Sequence, residues 1–139
     1  MNYTEENRGK PQFINRMKQA ISFEGMDFGG NITPTDVDGF FEVHGEVFVF
    51  FEMKLEGAVM SKGQRLALTR NVDYLQMAGR EAALFVCTHN VRDVTRTIMA
   101  KDTNVQKIYY KGKFIDYGGR NCKECIDSFL TYAKKKREA

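Results

Sequence analysis

Apolar residues recur along this chain with periods that change several times, and each change marks an element. Phe13, Ile14, Met17, Ala20 and Ile21 return at three- and four-residue spacing, which predicts an amphipathic helix over about 11–23 with Pro11 tolerated in its first turn. Glycines 25, 29 and 30 break that pattern, and 31–35 reads as loop or short strand. From Asp38 the pattern becomes strand, turn, strand: Gly39–Val43 and Val47–Phe51 are β-branched and aromatic, separated by His44-Gly45-Glu46. The second run is apolar on both faces, as in a central strand covered on either side. The phenylalanines at 40, 41, 48, 50 and 51 are expected in the core, and His44 in the turn.

Ser61 offers an N-cap for a helix to about Ala78, with Leu68, Val72 and Leu75 as its inward stripe and Gly79 as its stop. Ala82–Cys87 is a short apolar strand, while Val91–Ala100 is ambiguous, with helix one reading. Val105–Tyr110 and Phe114–Tyr117 flank Lys111-Gly112-Lys113 as a second hairpin. A last helix starts near 121, with Ile126, Phe129, Leu130 and Ala133 inward. Helix, hairpin, helix, strand, hairpin, helix makes an α/β (α+β) domain around a mixed sheet.

Length and composition add bounds. The 139 residues are room for one domain, and 42% hydrophobic content is enough for a packed core. No apolar run approaches a membrane span, and Met1–Glu6 lacks the build of a signal peptide, so no membrane association is expected. Three cysteines are too few for a disulfide scaffold, which points to a soluble protein of a reducing, cytoplasmic compartment. The net charge of +3 is carried by Lys134–Ala139, whose four cations and one anion leave residues 1–133 neutral. That tail reads as a solvated helix end or, at most, an accessory clamp on nucleic acid.

The chemistry gathers where the central strand ends. Glu52 and Lys54 are two apart and share one face. If His44-Gly45-Glu46 is a three-residue turn, opposed residues sum to 90 and Asp38 stands opposite Glu52; a two-residue turn sends Asp38 to the other face. Two opposed carboxylates stay ionised only with positive charge between them. A divalent cation supplies it, and oxygen ligands with water suit Mg²⁺ or Mn²⁺. Lys54 could then position the attacking water. The plainer reading is an Asp/Glu/Lys salt-bridge cluster at a sheet edge. Gln64 falls on the sheet side of its helix, in the first turns, with Lys62 and Arg65 beside it. Cys87, His89, Cys122 and Cys125 form a rival set for zinc, although the cysteine spacing also suits core packing. Tyr109 and Tyr110 offer rings for stacking on bases, but one of the two must point inward.

Asp36-Val37-Asp38-Gly39, a hydrophobic hairpin and then Phe51-Glu52-Met53-Lys54 resemble the PD-(D/E)XK nuclease superfamily, over residues 10–90 or about 60% of the chain. The resemblance implies a restriction-endonuclease-like core, with 91–139 as an extension, and a Mg²⁺-dependent endonuclease acting on DNA. It implies Asp38 and Glu52 as metal ligands, the Met53 carbonyl as a further one, Lys54 as the residue assisting water, and Gln64 near the centre. Asn7-Arg8-Gly9-Lys10 and the small size are also similar to bacterial and phage Holliday-junction resolvases, which would require a homodimer. A non-catalytic nucleic-acid-binding or protein-interaction module is the reading from another class. Two departures stand out: Pro34 is two before Asp36 and four before Asp38, leaving both as alternatives with Asp38 favoured. Glu5 and Glu6 precede the first helix, where many members carry a supporting glutamate.

Overall fold

The computed structural model describes residues 21–29, 32 and 34–139, and the chain divides into two units, Met1–Pro34 and Thr35–Ala139. The helix expected over 11–23 lies mostly outside the described residues, and 21–23 have no regular structure. The described part of the first unit is a turn closed by the Met26 N–H on the Phe23 carbonyl at 2.9 Å.

The second unit is a five-stranded mixed sheet with two helices. Its elements are β1 (Gly39–Val43), β2 (Val47–Leu55), α1 (Lys62–Met77), β3 (Glu81–His89), β4 (Asn104–Tyr110), β5 (Lys113–Asn121) and α2 (Cys122–Glu138). The strands lie side by side in chain order, and all neighbours are antiparallel except β2 and β3. That parallel pair exists because α1 carries the chain back across the sheet. The expected α+β class with a mixed sheet is what the chain adopts.

Local chemistry explains the boundaries. The Ser61 hydroxyl accepts the Gln64 N–H at 3.2 Å and caps α1. At the other end Gly79 takes φ +83°, with its N–H on Gln76 and the Arg80 N–H on Leu75, a paired C-cap that only a left-handed residue permits. The β4–β5 hairpin turns through Lys111 and Gly112, both at positive φ.

Alternation along the strands divides the core in two. Phe48, Phe50, Ala82, Leu84 and Tyr109 pack with Leu68, Val72 and Leu75 of α1. On the opposite face Val47, Val49, Phe85, Cys87, Val105 and Ile108 pack with Cys122, Cys125, Ile126 and Ala133 of α2. The inward stripes expected for both helices are therefore in place.

Three expectations need correction. Of residues 91–100 only Ala100 is helical, as the start of a single 3-10 turn over Ala100–Asp102: Asp93 instead accepts the Thr95 N–H and hydroxyl in a local turn, and Val94 is 97% exposed, so no apolar stripe exists to dock. Phe40 and Phe41 are exposed rather than core, because β1 is an edge strand with one neighbour. Tyr109 and Tyr110 point to opposite faces and both pack inward, which removes them as a stacking pair.

The basic tail is partly tied down. Lys136 Nζ pairs with Glu81 at 2.9 Å, while Arg137 pairs with Glu46 at 3.1 Å and donates to the Gly79 carbonyl at 2.7 Å. These contacts sit at the starts of β2 and β3. Glu46 and Glu52 are six residues apart along one strand, about 20 Å at the usual rise, so these two cations serve the far end of the sheet. Among the described residues no helix is long and apolar enough to cross a membrane.

Candidate active site

The β1–β2 hairpin sets the geometry. Val43 pairs with Val47 and Gly39 with Phe51, so opposed residues sum to 90 and three residues form the connection. His44 and Gly45 both take positive φ, at +54° and +68°, and the Glu46 N–H returns to the Val43 carbonyl. The Gly45 N–H also meets the Glu42 carboxylate. With that parity Asp38, one residue before β1, lies across from Glu52.

Side chain and backbone then interlock. Glu52 Oε1 accepts the Asp38 N–H at 3.0 Å, and Asp38 Oδ2 accepts the Met53 N–H at 2.8 Å. Each acidic residue thus holds the other strand's main chain. Gln64, from the first turn of α1, donates its side-chain amide to Glu52 Oε2 at 2.7 Å, and Lys54 Nζ lies 3.8 Å from the same oxygen. The structure brings the side chains of Asp38, Glu52, Lys54 and Gln64 together on one side of the sheet end with the Met53 main chain, while the Met53 side chain packs on the opposite face. Asp36, Lys62 and Arg65 are exposed.

Glu52 is 1% exposed, whereas Asp38 is open to solvent. Burial pushes the Glu52 carboxyl up to about 7, and the Asp38 charge pushes the same way; the Asp38 N–H and Lys54 oppose them, and Asp36 adds a smaller upward push. Burial first, and the Asp38 charge second, therefore leave an ionised Glu52 carboxylate short of compensating interactions.

That imbalance bears on whether a divalent cation suits the site. The donors are hard oxygens, and each Glu52 oxygen uses one hydrogen bond where a carboxylate oxygen accepts two. A residue in a strand turns its N–H and C=O to the same side, so the Met53 carbonyl shares the Asp38 side with its N–H. Among the described residues no three His, Cys, Asp or Glu side chains gather as a ligand group, so a cation here rests on two carboxylates, one carbonyl and water. Such a set fits Mg²⁺ or Mn²⁺, which keep several waters.

The rival zinc set does not assemble as four ligands. The His89 Nδ1 is occupied by the Val91 N–H at 3.1 Å, and Cys87, Cys122 and Cys125 are buried in the α2-side core. One contact near the centre went unread in the sequence. A Cβ on Gly39 would lie 1.9 Å from the Phe51 ring, so glycine is required next to Asp38 for that ring to cover the strand. The signal was available: a glycine after the acidic residue, paired by the same index sum with an aromatic.

Comparison with family models, characterised proteins and solved structures yields no match.

Proposed function

We propose that the protein is a metal-dependent endonuclease that hydrolyses phosphodiester bonds in DNA, built on the PD-(D/E)XK pattern with a restriction-endonuclease-like core. The observation that carries this reading is a buried Glu52 carboxylate held opposite Asp38, with Lys54 next on the same face of the strand. Asp38, Glu52 and the Met53 carbonyl would hold Mg²⁺ or Mn²⁺. When bound, such an ion would supply Lewis-acid chemistry toward the phosphate and would acidify water.

The chain's own residues do the rest. Gln64 fixes the orientation of Glu52 through its 2.7 Å bond, leaving that carboxylate no freedom to rotate away. Lys54, partly exposed, is placed to hold a water or offset charge growing on the phosphate oxygens. Lys62 and Arg65 flank the start of α1, whose first turn carries no acidic residue, and this positive corner suits a phosphate backbone. A cytoplasmic location accords with this function.

The test is a cleavage assay on linear duplex, four-way junction, single-stranded DNA and RNA, with Mg²⁺, Mn²⁺ or EDTA. Duplex DNA is cut with metal and not with EDTA. Glu52→Ala and Lys54→Ala each lower the rate at least about 100-fold with an unchanged circular dichroism spectrum. Absence of cutting on every substrate with either metal refutes the enzyme and leaves a hydrogen-bonded structural cluster in a non-catalytic module. Preference for junctions by a dimer selects the resolvase form.

A further inference from the structure

Two of the three free cysteines touch. Cys87 and Cys122 are 0% and 2% exposed, and the Cys87 thiol donates to the Cys122 sulfur at 3.5 Å. Both are held by regular backbone. Cys87 lies in β3 on the face toward α2, and Cys122 is the first residue of α2, its N–H bonded to the Thr103 carbonyl at 2.8 Å. Their surroundings differ. Cys122 lines a mainly apolar groove of about 280 Å³ with Phe41, Phe51, Ile126 and Leu130, and Lys101, Lys123 and Asp127 also border it. Cys87 is fully buried behind it, in the strand.

We propose that Cys87 and Cys122 are an oxidisable dithiol, with Cys122 meeting a small hydroperoxide in the apolar groove and Cys87 resolving the product. Position favours this division of roles. Cys122 stands at the positive end of a 17-residue helix and receives the Cys87 hydrogen bond, and both favour a thiolate there. The same bond lowers the Cys122 thiol and raises that of Cys87.

In the first step the Cys122 sulfur attacks the peroxide. An S–O bond forms, the O–O bond breaks, and the departing oxygen takes the thiol proton to leave as an alcohol or water. In the second step the Cys87 sulfur attacks Cys122. The S–S bond forms, the S–O bond breaks, and hydroxide leaves with the Cys87 proton as water. Two thiols lose two electrons and the hydroperoxide gains them. The sulfurs must close from 3.5 Å to the bond length of about 2.05 Å. The inference is independent of the nuclease reading.

The test treats reduced, folded protein with hydrogen peroxide or cumene hydroperoxide, then denatures it, alkylates remaining thiols and maps tryptic peptides. Cleavage after Lys123 separates Cys122 from Cys125, so the pairing is read directly. The expected product links Glu81–Arg92 to Asn121–Lys123 and leaves Cys125 alone alkylated. Cys87→Ser accumulates oxygen adducts on Cys122, Cys122→Ser leaves Cys87 unreacted, and Cys125→Ser forms the full link. A link to Glu124–Lys134 overturns the proposal. So do three alkylated thiols under conditions that oxidise an exposed control thiol, or a link that forms only in denaturant. If the serine variants do not fold, the wild-type peptide map decides alone.

Discussion

Changing Glu52 to glutamine isolates the electrostatic cost at the candidate centre. The two side chains are nearly isosteric, and Gln64 can turn its amide to keep a hydrogen bond, so the difference reports the charge. In metal-free protein Glu52 binds its proton up to about pH 7 when folded, against 4.5 ordinarily. Between those values folding takes up a proton, so the contribution is full below 4.5, falls as pH rises, and is lost above about 7. The span is about 2.5 powers of ten in proton affinity at about 1.4 kcal/mol each, or about 3–4 kcal/mol in all. The assay is urea denaturation in EDTA at a series of pH values, plotting wild type minus Glu52→Gln. Carboxylates that do not interact with Glu52 cancel in the difference, which falls by about 3 kcal/mol between pH 4.5 and 7.5. With Mg²⁺ present the fall shrinks, because a bound cation favours the ionised form. A difference curve that is flat, or rises with pH, refutes a buried and electrostatically stressed Glu52.

Gly39→Ala drives a methyl into the Phe51 ring, which lies 1.9 Å from the new Cβ, and is expected to cost about 1–3 kcal/mol in denaturant unfolding. An unchanged midpoint means that the ring moves freely. Replacing both Lys136 and Arg137 by alanine removes the ion-pair partners of Glu81 and Glu46, although Glu81 keeps the Tyr110 hydroxyl, and lowers stability by about 1 kcal/mol while DNA affinity, measured by fluorescence anisotropy, stays the same. A fall of about tenfold in affinity at constant stability instead puts the tail on the substrate. Tyr109→Phe loses the 2.8 Å bond to Asp73 and costs about 1 kcal/mol. Burial and Asp73 push the Tyr109 phenol up to about 12, so a spectrophotometric titration of the folded protein shows this tyrosine still neutral at pH 11.

Much of this was legible in the sequence wherever one period held long enough to bury one face. The β-branched and aromatic run through β2, apolar on both faces, required a covered central strand, the stripe Leu68, Val72, Leu75 required a helix with one inner side, and Ser61 and Gly79 bounded that helix. The candidate site followed from arithmetic on a hairpin, since one assumption about turn length placed Asp38 against Glu52. What was hidden depends on tertiary partners. The turn at Asp93–Arg96 is decided by side chains bonding to nearby backbone, which leaves no periodic trace. The exposure of Phe40 and Phe41 depends on β1 having one neighbour, and strand order is not written in composition. Likewise Lys136 and Arg137 look like solvent charges until Glu81 and Glu46 are known to lie beneath them.

The strand order also bears on how the chain reaches this state. Because β1 to β5 neighbour one another in the order in which they follow in the chain, each strand can dock on its predecessor without waiting for a distant partner. Two tight hairpins, one helical crossover and the longer β3–β4 connection over 90–103 make up the sheet, so two of the closures are short and the entropic cost of the longer ones grows slowly with length. All five residues of the candidate centre lie between Asp38 and Gln64. That segment contains one whole hairpin and the first turn of the helix after it. The centre thus rests on contacts local in sequence, whereas the opposite face is covered by α2 from the far end of the chain.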